Sequence, residues 1–147
     1  MARQGRDDRF DAFKLSASHG ALAGSVDPAA LPRLADRVVE GPKGRVEWRI
    51  HGAADTQGRP AITLDLDGMV PLQCQRCLGP LEQDVHQSTT LLLARSDAEL
   101  VQLDESSELE VVLASAPLEP GTLVEDELLL TLPFAPRHDA DCAPAED

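Results

Sequence analysis

The stretch VEWRIH at residues 46–51 alternates apolar with polar side chains, and ITLDLD at 62–67 repeats the alternation. A period of two places Val46, Trp48 and Ile50 on one side of a pleated strand and Glu47, Arg49 and His51 on the other, so both segments read as half-buried strands. The segment GAADTQGRP between them supplies the Gly, Asp and Pro of a chain reversal. An antiparallel hairpin with a long loop is therefore expected. After a turn at CQRCLGP (74–80), Leu81, Val85, Leu91 and Leu93 run through a β-prone stretch containing Thr89 and Thr90, which gives a third strand. A short fourth one is expected at ELEVVL (108–113), closed off by Pro117 and Pro120.

Working outward from this block, AFKLSA at 12–17 alternates weakly and is read as a first strand, with Gly20 and Gly24 punctuating a turn region. A helix is expected near 28–40. Asp27 caps it, Pro28 suits its first position, Leu31, Leu34, Ala35 and Val38 recur at helical spacing, and Gly41 and Pro42 end it. Pro32 disturbs that reading, because an internal proline removes one hydrogen bond; the alternative starts the regular helix at Pro32 after a turn. Either way Leu34 and Val38 face the core. Residues 96–107 (SDAELVQLDESS) are acidic and polar and read as a loop. Thr122 and Glu125 stand in the relation of a capping box, and LVEDELLLTL runs on to Pro133, so a second short helix is placed at 122–132. Glu125, Asp126 and Glu127 would then lie in its first turns, where the helix dipole favours carboxylates. The expected architecture is α+β: an antiparallel meander, open or partly closed, with two short helices.

At 147 residues the chain suits one core, and with three Phe, one Trp and no Tyr that core is mostly aliphatic. No apolar run is long enough to span a bilayer, and the opening MARQGRDDRFDAF contains no apolar signal region. A cytoplasmic location follows as an expectation, with neither a membrane nor a small-molecule substrate as partner. Charge is divided unevenly. Residues 1–96 hold twelve basic and twelve acidic side chains, whereas 97–147 hold one basic and fourteen acidic, the whole of the net −13. Between Asp97 and Pro136 there are ten carboxylates and no Lys or Arg. Such a half repels a phosphate backbone and suits a basic partner such as a ribosomal protein; solubility alone is the plainer explanation. Any nucleic-acid contact belongs to the first third, with Arg3, Arg6, Arg9, Lys14, Arg33, Arg37, Lys43, Arg45 and Arg49, and is expected to be weak and salt-labile.

Cys74 and Cys77 form a CxxC, and His138 and Cys142 follow about sixty residues later. Two thiolates at the ends of a short turn plus a second pair from the C-terminal segment make a Cys3His set able to hold zinc and staple the tail to the meander. Two other readings stand beside it. A redox CxxC needs a helix starting at the motif to lower a thiol pKa, and here Leu78, Gly79, Pro80 and a strand follow; structural thiols need nothing further. Arg76 inside the motif is either a solvated turn residue or a contact for an RNA phosphate. No GxSxG, phosphate-cradling glycine loop or HExxH is present, and the four histidines are scattered, so no enzyme is expected.

LQCQRCLGPLE at 72–82 and LVEDELLLTLPFAPRHDADC at 123–142 together resemble the signature blocks of the YceD family. That family joins a strand ending in a CxRC turn to an acidic helix followed by a Pro, a His and often a Cys. The matching positions are Cys74, Arg76, Cys77, Val124, Glu125, Asp126, Glu127, Leu132, Pro133, Pro136, His138 and Cys142. The resemblance implies a non-enzymatic role in synthesis, processing or stability of large-subunit ribosomal RNA. It also implies a single domain over 1–142 with an acidic tail at 143–147. Arg76, Glu125, Asp126 and Glu127 are carried over as binding candidates, and a basic ribosomal protein or pre-ribosomal particle as partner. A zinc-stapled module with a non-ribosomal partner is the alternative.

Overall fold

Both alternating stretches are strands, and longer than the alternation alone marks out. The computed structural model describes residues 9–39, 44–133 and Pro136. In chain order these form α1 (Ala12–Ser18), β1 (Ala21–Val26), β2 (Arg45–Ala54), β3 (Pro60–Gln73), β4 (Pro80–Ala94), α2 (Asp97–Ser106), β5 (Glu110–Leu113) and α3 (Pro120–Thr131). The sheet order is β1-β2-β3-β4-β5. The first three pairings are antiparallel, with Trp48 opposite Leu66 and Leu64 opposite Thr89, and the last is parallel, with Leu91 opposite Glu110.

The α+β class holds, but four details of the expected architecture are corrected. The sheet is mixed and not closed, since among the described residues β1 and β5 each have one strand neighbour. Residues 97–106 form α2 instead of a loop, and this helix is what allows β5 to run parallel to β4, because a parallel neighbour needs a long crossover that a tight turn cannot supply. Among the described residues there are three α-helices, one of them at 12–18 where a strand was expected. Asp11 caps α1 by accepting from the Lys14 N–H at 3.1 Å. The helix expected near 28–40 is instead two single 3-10 turns, Pro28–Ala30 and Ala35–Arg37. Asp27 does cap the first of them, accepting from Ala29 N–H, and Pro32 divides the segment. The helix expected at 122–132 is α3, starting two residues earlier because Pro120 takes its first turn.

Residues directly opposite in antiparallel strands share a face. One face carries Val46, Ile50, Ile62, Leu64, Leu66 and Leu91, all buried, and packs with Leu31 and Leu34 of the 3-10 segment and Leu123, Val124 and Leu128 of α3. Leu34 is therefore in the core as expected, and Val38 packs against it. The other face carries Glu47, Asp67 and His86 in one row and Arg49, Asp65 and Ser88 in the next. His86 sits 2.6 Å from Asp67 and His51 3.3 Å from Asp65. Ser88 donates to Asp65 rather than to an imidazole. At the loop end of the β2–β3 hairpin, α1 lies so close that a Cβ on Gly52 would stand 2.0 Å from the Leu15 carbonyl oxygen. Buried Ser16 ties it there, donating to Ala53 O at 2.7 Å and accepting from Ala61 N–H. No helix among the described residues is long and apolar enough to cross a membrane.

Candidate functional site

The acidic motif of α3 faces inward more than a surface motif would. Glu125 is only 5% exposed and accepts two hydrogen bonds from one residue, the Arg33 peptide N–H at 2.6 Å and the Arg33 Nε at 3.0 Å. Asp126, half exposed, takes the other arm of the same guanidinium. These two partners, Asp126 first and Glu125 second, raise the Arg33 pKa above its ordinary value. Arg37 reaches the Pro133 carbonyl at 2.5 Å. The segment between Asp27 and Val39 is thus strapped by two arginines, one to the middle of α3 and one to the residue just past its C-terminal end. Sequence reasoning counted both among cations available to nucleic acid; the structure engages them within the chain. With partners 92 residues apart, no local spacing could have disclosed the strap.

Glu127 is also buried, at 4% exposure, and accepts from the Gln87 side-chain amide and from Thr89 Oγ1 at 3.0 Å, both on β4. Its donors are neutral. Glu110, at the start of β5, faces it, and its carboxyl is pushed above the ordinary carboxylate range by partial burial first and by the charge of Glu127 second. Glu110, Glu127, Asp126 and Arg33 share a groove of about 360 Å³ with the apolar side chains of Leu91, Val112, Leu123 and Leu130.

The CxxC occupies the turn between β3 and β4. Cys74 is fully buried and Cys77 half-buried; Arg76 stands exposed at the tip. The turn is tight: Leu78 N–H donates to Cys74 O, Cys74 N–H donates to Gly79 O, and Leu78 is held in the left-handed region at φ 62. Gln75 N–H donates at 2.8 Å to the carbonyl of Pro136, which brings the chain beyond α3 back to this turn. His138 and Cys142 lie outside the described residues. Among the described residues, no group of three or more His, Cys, Asp or Glu is gathered so as to hold a metal. The two motifs do not form one site. Gln87 and Thr89 lie seven to nine positions along β4 from Pro80, about 24 to 31 Å at the rise of a strand.

The family model described as Large ribosomal RNA subunit accumulation protein YceD matches residues 62–147. The chain belongs to the YceD family. The match begins in β3 and runs through both the CxxC turn and the acidic helix, so the α1, β1 and β2 elements stand outside it. Membership ties the chain to accumulation of large-subunit ribosomal RNA, as the family's description states. No solved structure matches the chain. Among the described positions of the YceD motif, Glu125 and Glu127 are buried against internal partners, and Arg76 and Asp126 are exposed.

Proposed function

We propose that the chain promotes accumulation of large-subunit ribosomal RNA by holding a basic ribosomal protein on its acidic half, as a binding factor with no catalysis of its own. The observation that carries this reading is a run of exposed carboxylates along α2 and into β5. Asp97, Asp104, Glu105, Glu108 and Glu110 are exposed, and none has an ion-pair partner among the described residues. Uncompensated charge of one sign over one surface raises the local potential, draws cationic proteins and repels phosphates. Arg33 and Arg37 are engaged with α3, which thins the cations of the first third and supports a weak, salt-labile RNA contact. Affinity capture with the full chain at low and moderate salt tests the proposal. Basic large-subunit proteins are expected to co-purify and to leave as salt shortens the screening length to about 10 Å and below. Recovery without ribosomal proteins, or a tight RNA complex indifferent to salt, would refute it.

A second reading is favoured by the hydrogen bond from Gln75 to Pro136, two residues before His138. Zinc held by Cys74 and Cys77 together with His138 and Cys142 would lock the segment after α3 onto the β3–β4 turn. Elemental analysis should then find one zinc per chain, lost together with cooperative unfolding in Cys74→Ser. A metal-free chain whose melting is unaltered by that substitution removes the staple and leaves the first reading standing.

A further inference from the structure

We propose that the groove between α3 and β5 is the seat of the basic partner: one Lys or Arg side chain lies between Glu110 and Glu127, and its apolar neighbours rest on Leu91, Val112 and Leu130. This deepens the reading of the acidic half as a protein-binding surface and rests on it. The occupant follows from charge and shape together. Among the described residues Arg33 is the only cation lining the groove, and it is already divided between Glu125 and Asp126. Glu110 and Glu127 are left opposed, with neutral donors alone on Glu127. A cation entering between them relieves their repulsion, and because Glu127 is buried the attraction is poorly screened by water. A phosphate or an acidic peptide would add to the repulsion.

The rest of the lining selects for an apolar stem and apolar flanks. Leu130 is 70% exposed on the last turns of α3, at the lip of the groove, while Leu91 and Leu123 form its floor. Lys and Arg carry aliphatic stems that cover such surface while the charged head reaches a carboxylate. A space of about 360 Å³ accepts one long side chain and parts of its neighbours, not a folded domain. The occupant is accordingly an extended segment. β5 is four residues long and its outer edge has no strand partner among the described residues, so its peptide groups are available to such a segment.

The test uses the immobilised full chain and, as probe, total protein extracted from large ribosomal subunits, quantified after washing. Glu110→Gln and Asp104→Asn each remove one negative charge, one inside the groove and one on α2; Leu130→Ser removes none. Wild type should retain a subset of basic proteins, Glu110→Gln and Leu130→Ser should each lower that retention about tenfold, and Asp104→Asn less than twofold. Diffuse electrostatics predicts instead that the two charge variants fall equally and that Leu130→Ser is silent. That outcome overturns the groove and leaves the acidic surface as the binder. Wild type retaining no basic protein ends the underlying reading and the groove with it. A wild-type dimer in sedimentation that Leu130→Ser dissolves assigns the groove to a second copy of the chain, and likewise overturns the proposal. Neither groove variant endangers folding, since Leu130 is exposed and Glu110→Gln removes a repelled charge.

Discussion

Replacing Glu125 with alanine should cost the fold about 2 to 3 kcal/mol, and the structure shows where the loss arises. The Arg33 peptide N–H loses its carboxylate acceptor at 2.6 Å, and hydrogen bonds to charged groups contribute roughly 1.5 to 3 kcal/mol. One buried methylene goes as well, at roughly 0.8 kcal/mol. Against both stands the relief of no longer desolvating a carboxylate, which returns part of the sum. The guanidinium arm adds nothing to the total, because the Arg33 side chain is 52% exposed and solvent screens such pairs. Urea unfolding followed by fluorescence of Trp48, the one tryptophan, reads the change directly. With a slope of roughly 1 to 3 kcal/mol per molar urea, the midpoint should fall by about 1 to 2 M. Glu125→Gln keeps one acceptor oxygen and should fall between wild type and alanine. Arg33→Ala keeps the peptide N–H bonded to Glu125 and should lose least of the three. If Glu125→Ala unfolds with an unchanged midpoint, or Arg33→Ala costs more, then Glu125 is not the strap that holds the 27–39 segment to α3.

Three further outcomes follow from the same geometry. Gly52→Ala would set a Cβ 2.0 Å from backbone that cannot yield, so α1 should lift from the hairpin and the amides of residues 12–18 should lose protection in hydrogen exchange, with a lower melting temperature. Ser96→Ala removes the side chain that accepts from Glu99 N–H at the start of α2 and should cost about 1 kcal/mol, seen as faster exchange in that helix ahead of the sheet. Glu110 has a folded pKa above its ordinary one, so the fold favours its protonated form: that stabilisation is complete below the ordinary carboxylate range and is lost as pH rises through the folded value. Glu110→Gln should therefore raise the melting temperature at neutral pH, with the gain vanishing in acid; a gain that persists in acid would show that Glu127 and partial burial do not act on this carboxyl.

The strands were legible because their alternation is tied to one buried face, and a one-residue slip of β2 or β3 would expose Ile50 or Leu64. What stayed hidden has specific causes. Gly24 resembles turn punctuation, yet it sits within β1 opposite Trp48, whose ring would stand 2.6 Å from any Cβ placed there. Room for an indole and a chain reversal look the same in one dimension. The S/T-x-x-E pattern occurs three times, and two of its occurrences fall at helices. At Ser96–Glu99 it opens α2, with Ser96 accepting from Glu99 N–H and Glu99 accepting from Arg95 N–H at 2.6 Å, in a stretch whose polarity suggested a loop. At Thr122–Glu125 the same letters do not cap: α3 begins at Pro120, and the Glu125 carboxylate is turned toward Arg33. A tertiary partner decided between two identical local patterns.

The same contacts constrain how the YceD motif is to be understood. β4 is the strand on which its two halves meet the sheet: the CxxC turn enters β4 and receives Pro136, and the acidic helix seats Glu127 on Gln87 and Thr89 farther along it. Each half ties down a segment distant in sequence, residue 136 in one case and Arg33 in the other. Loss of partner binding in Glu125→Ala would therefore have two possible origins, a missing contact or a loosened 27–39 segment that lets Arg33 leave the groove wall. Comparison with Asp126→Asn separates them, because Asp126 is exposed and shares the Arg33 guanidinium without holding its peptide N–H. If Glu125→Ala loses both stability and binding while Asp126→Asn keeps both, the buried carboxylate serves recognition only by holding the groove in shape. Equal loss of binding in the two, with stability retained in Asp126→Asn, would instead place the partner's contact on the motif itself.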